Sequence, residues 1–149
     1  MGNICRSPMA EGILNTLIQK EGLKAIVDSA GTIDYHEGEA PDRRATIKAL
    51  QHGVDISNIV SRPFNLNDFD NFDWIYVMDN ENYRDIMLRT TLEKHKSKVK
   101  LILDEVYPQQ HLDVPDPYYG GEQGFENVFQ LLMNASVAIA KKIKDYDKL

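Results

Sequence analysis

The chain holds a single cysteine, Cys5, and so cannot close an internal disulfide, which fits a reducing, cytoplasmic compartment. Histidine is scarce as well. His36, His52, His95 and His111 are scattered without the spacing that holds a metal, and no metal or other cofactor is expected. No apolar run approaches membrane-spanning length, and the first residues lack the apolar stretch of a signal peptide. Positive charge is in deficit: 17 Lys and Arg against 23 Asp and Glu leave a net charge of -6. That balance argues against nucleic acid or an anionic membrane surface as a partner. Repeats, linkers and low-complexity stretches are absent too, so the 149 residues read as one domain, long enough to bury a core.

What is present is an alternation of short β-rich runs and helical stretches. Ser7 is placed to cap a helix with Pro8 at its first position, and Met9, Ile13, Leu14, Leu17 and Ile18 form one apolar stripe ending at Gly22. AIVDSAGT (25–32) reads as a strand ending in a small-residue turn. DRRATIKALQHG (42–53) reads as a helix with Ile47 and Leu50 inward. DWIYVMD (73–79) and VKLILDE (99–105) read as strands separated by a helix at 81–88, with Asn80 as its cap. A long helix from about Gly121 to Tyr146 carries Phe125, Val128, Phe129, Leu132, Val137 and Ile139 at helical spacing. Strands alternating with helices imply a parallel sheet covered on both faces, with ligands at the carboxyl ends of its strands.

The chain opens on MGNICRSPMAEGIL. Gly2 and Asn3 can turn the backbone so that successive N–H groups face one concavity, a nest for an anion. Arg6, where the loop enters the helix, adds a planar fork for two phosphoryl oxygens, and the helix dipole adds positive potential. Each feature alone also suits an ordinary capped helix. The whole string GNICRSPMAE resembles the signature of the low-molecular-weight protein tyrosine phosphatases. That resemblance implies a flavodoxin-like, doubly wound α/β sandwich on a four-stranded parallel sheet. It also implies a phosphate-binding loop made here by Gly2, Asn3, Ile4, Cys5, Arg6 and Ser7.

In that family the nucleophile is the first residue of a Cys-x5-Arg motif. Counting back from Arg6 reaches the position immediately before Met1. Cys5 matches the second, non-nucleophilic cysteine, and the residue six places after it is Glu11, a carboxylate where a phosphate-binding arginine is required. The family's first strand, interior to its sheet, is likewise missing from the chain. The expectation is therefore a phosphatase domain over residues 1–149 whose N-terminal strand and nucleophilic cysteine lie upstream of Met1. An inactive phosphate-binding pseudoenzyme or truncated fragment is the competing expectation.

A second segment, DVPDPYYGG (113–121), matches the family's Asp-Pro-Tyr-Tyr motif, which implies that Asp116 is the general acid. Ser29 in VDSAGT matches a serine that supports the phosphate loop, and Tyr35 with Tyr118 would wall a cleft for a flat phenyl phosphate. Asp79 matches a position near the site, although a helix cap is an equal reading of it. At SNIVSRP (57–63) the family commonly has a histidine beneath the loop where this chain has Asn58, Ile59 and Val60. The expected partners are phosphotyrosine-bearing proteins, met by a monomer with at most weak dimerisation. A protein-arginine phosphatase is a second alternative, disfavoured because that group carries Thr where Ile4 stands. Arsenate reductase activity is disfavoured because no cysteine follows Cys5. Tyr118 and Tyr119 form a pair that can itself accept phosphate in the family.

Overall fold

A computed structural model describes residues 5–32 and 37–146. Helix α1 spans Arg6–Glu21 and ends on Gly22, whose φ of 66° is the left-handed conformation that favours glycine. It begins at Arg6, two residues earlier than the capping signal predicts. Ser7 and Pro8 lie inside the first turn, no side chain caps the helix, and Pro8 costs nothing there because first-turn N–H groups lack helical partners. Met9, Ile13 and Ile18 are buried, as the apolar stripe requires.

Helix α2 (Arg43–Gln51) is capped by Asp42, whose carboxylate accepts from the Arg44 N–H at 2.8 Å. The expected inward face is wrong. Ile47 and Leu50 are exposed, and α2 instead buries Ala45, Lys48 and Ala49. The small alanines admit a close neighbour, and the Lys48 ammonium reaches Glu126 and Glu122 of the C-terminal helix at 3.4 and 3.6 Å. A short helix α3 (Asp68–Asn71) precedes strand β1 (Ile75–Val77). Helix α4 (Asn80–Met87) is capped by Asp79, not Asn80, through the Asn82 N–H at 2.7 Å. After a single turn, α5 (Glu93–Lys96), strand β2 (Val99–Leu101) pairs with β1 in parallel, Ile75 opposite Val99 and Val77 opposite Leu101. The second half of the expected strand, Ile102–Glu105, coils into a 3-10 turn. Helix α6 then runs from Gly121 to Tyr146, burying every residue of the predicted stripe except Val137.

The two strands separate two apolar clusters. Phe69, Val77, Ile86, Val99 and Leu101 fill one side. Met78, Ile102 and Leu103 face the other, packed with α1, α2 and the α6 residues Phe125, Phe129 and Leu132. Alternation along β1 sends Ile75 and Val77 to the first cluster and Tyr76 to the second, whereas in β2 Val99 and Leu101 join the first and Lys100 between them is exposed. Gly12 brings α1 down onto the chain after α2, since a Cβ there would stand 2.4 Å from Ile56 Cγ2.

The segment 25–32 is not a strand. It has the alternation of one, with Leu23, Ala25 and Val27 against the core and Ile26 88% exposed. Yet its only ladder contact among the described residues is a bridge from Gly31 to Pro63. The reason is spatial: a cavity of about 1410 Å³ lies between this segment and β1. Consecutive residues of both, 24–32 and 74–78, line it, so the two backbones turn their edges to the same space. Among the described residues the sheet therefore has two strands, against the three expected of this chain.

Candidate active site

Arg6, at the first position of α1, is only 7% exposed. Its Nη1 donates to Asp79 Oδ2 at 2.9 Å and to the Val114 carbonyl at 2.7 Å. Asp79 thus fills both roles the sequence allowed, capping α4 and fixing the arginine. Both bonds use the same nitrogen, and the guanidinium carries three further N–H donors on Nε and Nη2.

The segment bearing Asp116 is bound to the start of α4. The Val114 N–H donates to the Met78 carbonyl at 2.8 Å, just past the end of β1. Asp116 caps a 3-10 turn, Pro117–Tyr119, by accepting from the Tyr118 N–H at 2.9 Å. Arg6, Asp79, Asp113 and Asp116 together line a small pocket of about 200 Å³. The structure thus brings Arg6 and Asp116 to one place from opposite ends of the chain.

Cys5 lies half-buried beside Arg6 and lines the large cavity. Burial pushes its thiol up to about 12, and the Asp42 and Asp116 carboxylates add to the shift. A thiol in that state is protonated at neutral pH, the reverse of what a nucleophile needs. These two carboxylates are the acidic groups that act most strongly on it. Glu11 accepts a 2.6 Å bond from the Ser29 hydroxyl, so the described contact of Ser29 is with α1 and not with residues 5–7. Burial raises the Glu11 carboxyl above its usual range, with the Ser29 bond acting in opposition. Gly2, Asn3, Ile4 and Tyr35 fall outside the described residues.

Two residues at the mouth escaped the sequence reading. The Arg44 guanidinium sits 4.6 Å from the centre of the Tyr118 ring and 4.9 Å from that of Phe125, and its Nη2 pairs with Asp42 at 3.2 Å. Tyr118 is thereby seated beside Asp116 with its ring largely exposed. The spacing Asp-x-Arg at a helix start carried the cap signal for Asp42 but nothing that pointed Arg44 at a tyrosine 74 positions on.

A sequence model of the family described as low molecular weight phosphotyrosine protein phosphatase matches residues 1–148. The chain belongs to that family. It is 37% identical to the low molecular weight phosphotyrosine protein phosphatase of Schizosaccharomyces pombe over 146 residues, 96% of this chain and 92% of the relative. A protein tyrosine phosphatase from Entamoeba histolytica, crystallised with Hepes in its active site, superimposes with a TM-score of 0.90 at 41% identity. That match covers 100% of this chain and 95% of the other. A Drosophila arginine phosphatase matches with a TM-score of 0.85 at 31% identity, over 95% of this chain and 92% of its own. The chain is thus a phosphatase by family, a hydrolase of a family with a phosphate-binding loop, on a small α/β domain with a parallel sheet. No helix of the described residues is long and apolar enough to cross a membrane.

Proposed function

We propose that this domain hydrolyses phosphotyrosine in proteins through a cysteinyl-phosphate formed on a cysteine at the position immediately preceding Met1. The observation that carries the reading is Arg6, buried at a helix N-terminus and oriented by Asp79 and Val114. Its Nε–Nη2 edge is the fork for two phosphoryl oxygens, with the N–H groups of residues 2–7 on the others. The thiolate attacks phosphorus and forms the S–P bond as the P–O bond to the phenol breaks. Asp116 gives its proton to the departing oxygen. Water then attacks the cysteinyl-phosphate, losing a proton to Asp116, and the P–S bond breaks to release phosphate and thiolate. Ser29 would brace the loop indirectly, through Glu11 on the helix that follows it.

The 1410 Å³ cavity supports the position given to the nucleophile. It is lined by consecutive residues of the 24–32 segment and of β1, and by Cys5 and Arg6. Ser136 Oγ and Asn82 Nδ2 are buried on its walls without a hydrogen-bond partner among the described residues, which suits polar backbone entering between them. A third parallel strand there would end at the phosphate loop and complete a larger sheet, toward the four strands of the resemblance. Substrate choice rests on the apolar residue type at Ile4, where the arginine phosphatases of the resemblance carry Thr, together with Tyr118.

The test joins an apolar strand ending in cysteine to Met1 and measures turnover of aryl phosphates. Activity that vanishes on changing that cysteine to serine, with phosphate binding kept, is the expected result. Turnover by residues 1–149 alone overturns the placement of the nucleophile. Phosphate binding without turnover in either form favours the pseudoenzyme. A phosphoarginine peptide cleaved faster than its phosphotyrosine counterpart overturns the substrate assignment.

A further inference from the structure

Two adjacent residues at the start of α4 hold the two halves of the site. Asp79 pairs with Arg6, and Asn80 binds the acid-bearing segment. Asp113 Oδ1 accepts from the Asn80 backbone N–H at 2.8 Å and from its Nδ2 at 2.7 Å. The same Nδ2 donates to the His111 carbonyl at 2.9 Å. Asp113 therefore occupies a helix N–H that Asp79 does not reach, in a charge-assisted bond aligned with the helix dipole.

The chain entering this clip is strained. Gln109 and His111 have φ of 64° and 54°, in the left-handed region that non-glycine residues rarely adopt. His111 is held there from both sides, its carbonyl by Asn80 and its N–H by Asp104 Oδ1 at 3.3 Å. Beyond the clip, Val114 bonds Met78 through its N–H and Arg6 through its carbonyl. Only Pro115 separates that anchored residue from Asp116, and its ring restricts the turn between them.

We propose that Asn80 and Asp113 are positioning residues that hold the general acid Asp116 at a fixed place beside Arg6. This rests on the reading of Asp116 given above and adds what sets its position. A helix cap alone would affect stability. A positioning pair affects the proton transfer, which matters for a poor leaving group and little for a good one.

The experiment uses the active form described above, with phenyl phosphate as the poor and 2,4-dinitrophenyl phosphate as the good leaving group. Asp113→Ala lowers kcat/KM, which reports the P–O cleavage step alone, about tenfold or more on phenyl phosphate and changes it less than about twofold on the dinitrophenyl ester. Asp113→Asn, which keeps an acceptor oxygen, restores most of the loss. Asn80→Ala, which keeps its backbone N–H, shows the same pattern at smaller amplitude and serves if Asp113→Ala folds poorly. An equal fall on both substrates, or none on either, overturns the proposal. Asp116→Asn is the control: if it lacks the leaving-group dependence, the acid assignment fails instead. Amide exchange on residues 1–149 needs no turnover. Asp113→Ala should speed exchange at the Val114 and Tyr118 N–H about tenfold while α6 is unchanged, and unchanged exchange at both amides overturns the clip.

Discussion

Cys5 and Glu11 stand one helical stretch apart, and burial drives both toward their neutral forms. For Cys5 the consequence is chemical. With the thiol pushed up to about 12, only a trace is thiolate at neutral pH, so alkylation by iodoacetamide should be slow and should quicken steadily from pH 7 to 10. A rate that levels off below pH 8 would contradict the burial and the Asp42 and Asp116 contacts that cause it. For Glu11 the consequence is for stability. A carboxyl raised in the fold favours folding while protonated, and that contribution is lost as pH rises through its folded value. Glu11→Gln keeps an acceptor for the Ser29 hydroxyl and removes the charge. It should raise Tm at pH 7 by about a degree or more, with the gain shrinking toward pH 4; an equal gain at both pH values would put the cause elsewhere.

Between elements, the contacts with α6 hold the domain together. Leu132 is fully buried where α6 meets the core, and Leu132→Ala should cost about 2–5 kcal/mol in denaturant unfolding. The α2–α6 contact is polar at its edge: Glu126 accepts from Gln130, from His52 at 2.9 Å, and pairs with Lys48. Those partners, Gln130 and His52 first, draw its carboxyl down to about 2. The stability it contributes is present above its ordinary pKa near 4.5 and lost as pH falls toward 2. Glu126→Gln should therefore lower stability at pH 6 by less than about 1 kcal/mol, since the group is partly in solvent, and by nothing near pH 2. This contact also shows why the sequence misled on α2. Periodicity pointed to Ile47 and Leu50 as the inward face, whereas the neighbouring helix offers carboxylates and the aromatic face of Phe129, and it selects Ala45, Lys48 and Ala49. Where the partner is apolar, pattern and structure agree, as along α1 and from Phe125 to Leu132 of α6. The signature around Arg6 and the Asp-Pro-Tyr-Tyr run were legible for the same local reason: cap, turn and charge chemistry lie within a few residues. Arg44 on Tyr118 and Asn80 on Asp113 join positions 74 and 33 apart, and no local signal carries such a pairing.

At the scale of the whole molecule, the decisive feature is that two backbone edges face one cavity. Residues 24–30 have the alternation of a strand without a ladder partner, Gly31 makes the one bridge, and β1 is paired on one side, all among the described residues. Unpaired edges with apolar flanks invite association with other chains, and α-helical packing on both faces does nothing to cover them. The polypeptide of residues 1–149 should therefore self-associate with rising concentration in sedimentation velocity and bind ANS more strongly than a form whose N-terminus carries an apolar strand. Filling the space should also sharpen thermal unfolding, because a strand joined on both sides links the 24–32 segment to β1 and couples the two apolar clusters into one cooperative unit. Amides of residues 25, 27, 75 and 77 would report it directly, by exchange that slows only in the longer form. A monomeric, ANS-silent 1–149 with those amides already protected would mean that the cavity closes on itself, and would remove the support it lends to the position of the nucleophile.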